Sequence, residues 1–178
     1  AVVDAEEPGR AVEPDRPMVA AIDAADDLTL TSGVSRSGAG QTLTAATASR
    51  ASRSDGFVYA TVSEALQSSE VDVLVDYTSA STVKDNVWTA VRAGVHVVIG
   101  SSGLTSSDYE ELDRLARDHD VGVVAAGNFS IMAAVLLRAA AMASQHVDRW
   151  EIIDYSSASK PDVPSGTSRE LAEALGRV

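Results

Sequence analysis

The run Val73-Leu74-Val75-Asp76-Tyr77, the helical pattern of residues 81–93, Gly94, and the run Val95-His96-Val97-Val98-Ile99 together decide the fold. A short, nearly continuous apolar run rich in β-branched residues reads as a strand buried on both faces. Two such runs joined by an amphipathic helix cannot form a hairpin, so they should lie parallel. Gly94 falls just past the helical pattern, where a left-handed cap residue is expected. Working outward, further strand-like runs occupy residues 1–3, 28–34, 57–59 and 121–125, and helical patterns occupy 17–25, 63–69 and 106–118. Pro17 suits a first helical turn, and Ser63 and Ser81 have N-cap chemistry. This alternation predicts an α/β protein with a doubly wound parallel sheet of the Rossmann type.

Two stretches break the rhythm. Residues 4–15 are acidic and carry Pro8 and Pro14. Residues 35–56 are rich in Ser, Ala, Thr and Gly, with Arg36, Arg50 and Arg53, and read as a long surface loop with room for one short helix. After Asn128-Phe129-Ser130 the pattern changes to an Ala-rich helix over 131–146, a strand over 150–155, a Pro-flanked loop and a last helix from about Ser168. The expected organisation is a dinucleotide-binding domain over 1–128 and the start of a second, α+β domain over 129–178.

Bulk composition narrows the function classes. The chain has 178 residues, 45% of them hydrophobic, with a formal charge of −12. That charge repels phosphate backbones and anionic membrane surfaces, so neither nucleic acid nor membrane is an expected partner. With no Cys, thiol nucleophiles, disulfides and Cys-ligated zinc are excluded. No metal-ligand spacing occurs, so no metal is expected. His96, His119 and His146 are scattered and read as structural or solvated; Trp88 and Trp150 read as packing residues. The most apolar stretch, residues 131–143, is interrupted by Arg138 and is too short to span a bilayer. The acidic first residues do not resemble a signal peptide, so the expected compartment is the cytoplasm.

Chemistry concentrates in Lys160-Pro161-Asp162-Val163-Pro164-Ser165-Gly166-Thr167. Thr167 with Glu170 three residues on has capping-box spacing, so a helix should begin here. Ser165 and Gly166 then lie beside backbone N–H groups at a positive helix end, a natural cradle for an anion. Lys160, one of two lysines in the chain, is near enough in sequence to face the same cavity. Hydroxyls, amides and an ammonium together suit a small dicarboxylate; a well-made helix cap beside a solvated Lys accounts for the same residues equally well.

The string Lys-x-Asp-x-Pro-Ser-Gly-Thr resembles the signature of the 4-hydroxy-tetrahydrodipicolinate (dihydrodipicolinate) reductase family. The resemblance implies that Lys160, Ser157, Ser165, Gly166 and Thr167 hold the carboxylates of a small cyclic dicarboxylate substrate. Three other segments match in order: Val75-Asp76-Tyr77-Thr78 at a strand end, Gly100-Ser101-Ser102-Gly103 at the turn that approaches the nicotinamide, and Asn128-Phe129-Ser130 at the hinge between domains. The implied activity is NAD(P)H-dependent reduction of a cyclic imine dicarboxylate in lysine and diaminopimelate biosynthesis, by a homotetramer. The cofactor-binding residues it implies are Gly9, Arg10, Arg36, Thr78, Gly100, Ser101, Ser102, Gly103, Asn128 and Phe129.

NADPH is favoured over NADH, because Ser35-Arg36 stands where an enzyme preferring NAD usually places an acid, and an Arg suits a 2′-phosphate; a loop Arg solvated by water accounts for the same residue equally well. The sequence departs from the family pattern at two places. Residues 4–15 replace the Gly-rich phosphate loop with five carboxylates, keeping only the pair Gly9-Arg10. Ser156 and Ser157 stand where the family carries His-His, so Ser156 takes the place of the proton donor, and the proton would come from Lys160, Tyr155 or water. A non-catalytic relative that keeps a dicarboxylate pocket, and a reductase of a different cyclic imine, are the other two readings of the same residues.

Overall fold

The computed structural model describes residues 2–3, 16–47, 56–155 and 163–176. They divide into two compact units, Ala1–Ala125 and Ala126–Val178. In the first unit six strands, β1 (Val2–Val3), β2 (Gly33–Val34), β3 (Val58–Tyr59), β4 (Val73–Asp76), β5 (His96–Ile99) and β6 (Val123–Ala125), form one sheet. Its order is β3-β2-β1-β4-β5-β6, and every pairing is parallel. This is the doubly wound order, in which the sheet reverses direction of winding between β1 and β4. The helices α1 (Arg16–Ala24), α2 (Leu43–Thr47), α3 (Val62–Ser68), α4 (Val83–Arg92) and α5 (Ser106–Asp118) alternate with the strands. The second unit holds α6 (Ile131–Ser144) and α7 (Gly166–Gly176).

Apolar side chains divide into two clusters because neighbouring strand residues face opposite ways. On β3, Val58 joins Val19, Leu30 and Leu43, whereas Tyr59 packs against the larger cluster built on Leu74, Val87, Val91, Val97, Ile99 and Leu112. Leu74 is fully buried, while the preceding Val73 is 39% exposed. Leu43 anchors α2, the one helix among the described residues of the 35–56 loop, and Thr42 forms an isolated bridge to Phe57.

Local boundaries follow hydrogen-bonding chemistry. Gly94 adopts φ +78° after α4, the left-handed cap anticipated there. Ser63 does not cap α3: Thr61 does, its hydroxyl accepting the Glu64 N–H at 3.2 Å while the Glu64 carboxylate accepts the Ala60 N–H. Nor does Ser81 cap α4; its hydroxyl pairs with that of Ser79, and Thr82 precedes the helix. α5 begins with a reciprocal capping box between Thr105 and Asp108. The expected strand over 28–34 contracts to Gly33–Val34, because the register with β1 and β3 pairs those two residues alone. Residues 150–155 are no strand: their burial alternates, but no second strand lies beside them among the described residues, and a ladder needs one. Trp150 is 47% exposed rather than packed, whereas Trp88 is buried and donates its indole N–H to Glu111 at 3.0 Å. His96 is structural: its Nδ1 accepts the Gly122 N–H at 2.7 Å, tying β5 to the approach to β6.

Between α4 and α5, the Lys84 ammonium bonds Asp108, lies 3.6 Å from Glu111 and sits 5.1 Å above the Trp88 ring. The Lys84 bond, reinforced by the Thr105 backbone and hydroxyl, holds the Asp108 carboxyl well below the usual carboxylate range. A carboxyl depressed on folding contributes stability above its unfolded value of about 4 and loses it as pH falls toward the folded one. Thermal melts should therefore drop on acidification below about pH 4, with a smaller drop in Asp108→Ala than in the parent chain. Leu74→Ala should cost about 3 kcal/mol in urea denaturation, and Val73→Ala on the opposite face well under half as much.

Candidate functional site

The carboxyl end of β4 carries Asp76, a fully buried polar side chain at the end of an otherwise apolar strand. Its Oδ1 accepts three hydrogen bonds, from the Thr78 N–H at 2.9 Å, the Thr78 hydroxyl at 2.7 Å and the Ser101 hydroxyl at 2.6 Å. Its Oδ2 accepts the Asn86 side-chain amide at 3.0 Å. The Asp76 main-chain carbonyl accepts the Gly100 N–H at 2.8 Å. One residue thus ties together the loop after β4, the turn after β5 and the first turns of α4. Its burial is supported by four donors, which offset the cost of removing the group from water.

Beside this hub lies an open cleft of about 340 Å³ at the carboxyl ends of β2, β3 and β4. Arg36, two residues beyond β2, and Thr78, two residues beyond β4, both line it. The rest of its wall is rich in hydroxyls, among them Ser35, Thr61, Ser63, Ser79 and Thr82, with Asp85 as the single acid among the described lining residues. Ser35 is buried, and its hydroxyl accepts the Gly38 N–H at 3.2 Å, shaping the start of the Arg36 loop. Ligands of doubly wound sheets sit in this crevice, outside the carboxyl ends of the strands.

In the turn after β5, the glycines are required by the protein itself. A Cβ on Gly100 would lie 2.3 Å from the Tyr77 ring, and one on Gly103 would lie 2.5 Å from Ala80, at φ +120°. Tyr77 and Ala80 both belong to the loop after β4, so the two loops close on one another through the missing side chains. Ser101 faces Asp76, and Ser102 continues the turn half-buried.

The second unit places Ser165, Gly166 and Thr167 at the start of α7. The helix begins two residues ahead of the expected Ser168, and Ser165 rather than Thr167 caps it. The Ser165 hydroxyl accepts the Ser168 N–H at 3.2 Å, and the Ser165 carbonyl accepts the Arg169 N–H at 2.9 Å. Thr167 instead donates its hydroxyl to the Gly127 carbonyl at 3.3 Å. Gly127 is tightly packed: a Cβ there would meet Glu170 at 2.8 Å and Gly166 at 3.1 Å. Next to it, the Asn128 side chain accepts the Ser130 N–H at 2.9 Å, and Ser130 caps α6; Phe129 is 47% exposed. Lys160, Ser156, Ser157, Gly9, Arg10, Arg50 and Arg53 lie outside the described residues.

The family model for the N-terminal part of dihydrodipicolinate reductase matches residues 15–129, more than half of the chain. The chain belongs to the dihydrodipicolinate reductase family. A curated relative named 4-hydroxy-tetrahydrodipicolinate reductase, from Thermosynechococcus vestitus, is 40% identical over 114 residues, covering 64% of this chain and 41% of the relative. Another of that name, from Bacillus velezensis, is 32% identical over 125 residues, covering 70% of this chain and 47% of the relative. The chain therefore spans less than half the length of these relatives. A solved dipicolinate-bound dihydrodipicolinate reductase from Paenisporosarcina sp. TG-14 shares the fold, with a TM-score of 0.68 at 22% identity, covering 99% of this chain and 65% of that one.

Within this family frame, sequence reasoning gave no role of their own to Asp76 and Tyr77, quoted only as part of a matching strand end, nor to Asn86 and Asp154. An Asp closing an apolar strand was visible as a pattern, but its four donors come from positions up to 25 residues away. Asp76→Ala should lower stability by about 3 kcal/mol in urea denaturation, because its donors lose their acceptor. Asp76→Asn should cost much less: its carbonyl can serve the Oδ1 donors, and the Asn86 amide can turn to meet the new NH₂.

Proposed function

We propose that this chain supplies the nucleotide-binding unit and the substrate-loop helix of an NAD(P)H-dependent 4-hydroxy-tetrahydrodipicolinate reductase, acting in lysine and diaminopimelate biosynthesis. The observation that carries the reading is the hydroxyl-rich cleft at the carboxyl ends of β2 and β4, with Arg36 at its wall, in a chain of this family. The names of the relatives and the dipicolinate bound by the solved family member support a small cyclic dicarboxylate as substrate.

The cleft suits a dinucleotide. Arg36 would meet a 2′-phosphate, which favours NADPH, and the surrounding hydroxyls would hydrogen-bond ribose and phosphate oxygens. When bound, the nicotinamide would supply the hydride. The turn Gly100–Gly103, braced by Asp76 and Tyr77, would set the backbone against which that ring rests. The backbone N–H groups of Gly166 and Thr167 would hold a substrate carboxylate at the positive end of α7, with Lys160 as counter-charge. Protonation of the product would fall to Lys160, Ser156, Tyr155 or water. A cytoplasmic location and a homotetramer belong to the same reading.

A second reading, a non-catalytic dicarboxylate-binding relative, is favoured by the five carboxylates of residues 4–15 and by Ser156-Ser157. Calorimetric titration with NADPH and NADH, with and without pyridine-2,6-dicarboxylate, separates the two. For the reductase, NADPH binds and the mimic tightens it. Arg36→Ala should then weaken NADPH about tenfold or more, the loss of one charge-assisted contact, and leave NADH nearly unchanged. Mimic binding with no nucleotide binding would establish the second reading instead.

A further inference from the structure

One oxygen of Asp76 serves two loops. Its Oδ1 accepts the Thr78 N–H at 2.9 Å and the Thr78 hydroxyl at 2.7 Å, both from the loop after β4. The same atom accepts the Ser101 hydroxyl at 2.6 Å, from the turn after β5. Ser101 Oγ also lies 3.3 Å from the Asp76 carbonyl, which takes the Gly100 N–H at 2.8 Å. A hydroxyl carries a single proton, and that of Ser101 is directed onto a fully buried carboxyl. Thr78 lines the cleft at the ends of β2, β3 and β4, whereas Ser101 belongs to the turn at the end of β5.

Strand order gives these two loops different halves of a ligand. A doubly wound sheet takes a dinucleotide across the crevice where the order reverses, one half to each side. Here the reversal lies between β1 and β4. Arg36 marks the side of β2 and β3, where the adenosine half would lie. The nicotinamide half then falls toward the ends of β4 and β5, where the turn of Gly100–Gly103 closes on Tyr77 and Ala80. Thr78 and Ser101 meet on one atom, so the turn is held in register with the cleft wall by Asp76 itself.

We propose that Ser101 is a positioning residue for the nicotinamide half of the cofactor. Its hydroxyl, held on Asp76, sets the turn Gly100–Gly103 before any ligand arrives and makes no contact with the ligand itself. The inference rests on the dinucleotide reading of the cleft given above. Removing the Ser101 hydroxyl leaves the Thr78 bonds to Asp76 in place, so the cleft wall that meets the adenosine half keeps its shape. The two halves of the cofactor should therefore respond differently to its loss.

Calorimetric titration of the full chain with NADPH, and with 2′-phosphoadenosine diphosphoribose, which lacks the nicotinamide, reads the two halves apart. Hydrogen exchange of the Gly100 amide in the ligand-free protein reads the turn itself. Ser101→Ala should bind NADPH about tenfold more weakly, the loss of one positioning hydrogen bond. It should bind the nicotinamide-free fragment as the parent does and exchange its Gly100 amide faster. Ser101→Thr keeps the hydroxyl and should match the parent in all three. Equal weakening for both ligands would mean a general loosening of the sheet edge, and the proposal falls. Weaker NADPH binding with unchanged Gly100 exchange would make Ser101 a direct ligand contact and overturn it, as would NADPH binding left intact. If Ser101→Ala does not fold, Ser101→Cys, a weaker donor, takes its place with the same expected pattern. A parent chain that binds the fragment as tightly as NADPH gains nothing from the turn, which also overturns the proposal. Binding of neither ligand by the parent would instead sink the dinucleotide reading on which the proposal stands.

Discussion

Burying an aspartate at the end of a central strand is costly unless donors surround it, and the carboxyl end of this sheet is organised around meeting that requirement. Thr78, Ser101 and Asn86 converge on Asp76 from the loop after β4, the turn after β5 and α4. Each would otherwise be a surface polar group free to follow solvent. Held to one acceptor, they bring two strand-end loops into fixed register, and the cleft beside them inherits its shape. An apolar residue at position 76 would fit the strand as well, but nothing would then hold those loops together.

The glycines of the turn after β5 extend the same constraint. Gly100 lacks a side chain where the Tyr77 ring lies, and Gly103 lacks one where Ala80 lies. The interlock of the two loops is thus both polar, through Asp76, and steric, through the missing Cβ atoms. A glycine-rich turn in this fold is readily attributed to the close approach of a cofactor; here the protein's own neighbours already require it. The two demands are compatible, since a turn stripped of side chains on one face can serve a packed ring and still present backbone on the other.

In the second unit, packing is sparse. α6 is apolar nearly all round, interrupted by Arg138, yet none of its residues is buried, and Ile131 is 80% exposed. A helix of that composition normally lies inside a larger core. Order here comes from short polar contacts: Ser130 on the first turn of α6, Thr167 on Gly127, and Asp154 on Ser165. These contacts shape the start of α7, whose one buried residue among those described, Leu175, lies near its other end.

The alternation of β-branched runs with amphipathic helices was enough to determine a parallel α/β sheet, because period and composition are local properties that each segment carries by itself. Gly94 as a left-handed cap and the short helix in the 35–56 loop were legible for the same reason. Order along the chain also brought Arg36 and Thr78 to one cleft, since residues just beyond parallel strands share one edge of the sheet. What only the tertiary structure decided were the partners. Residues 150–155 have a strand's alternation but no strand beside them among the described residues, and Ser165 rather than Thr167 caps α7. Asp76 gathers donors from as far away as Ser101. A hydrogen bond between distant residues leaves no periodic trace in sequence; it exists only once the chain has folded and the cost of burying an unpaired polar group selects which donor meets which acceptor.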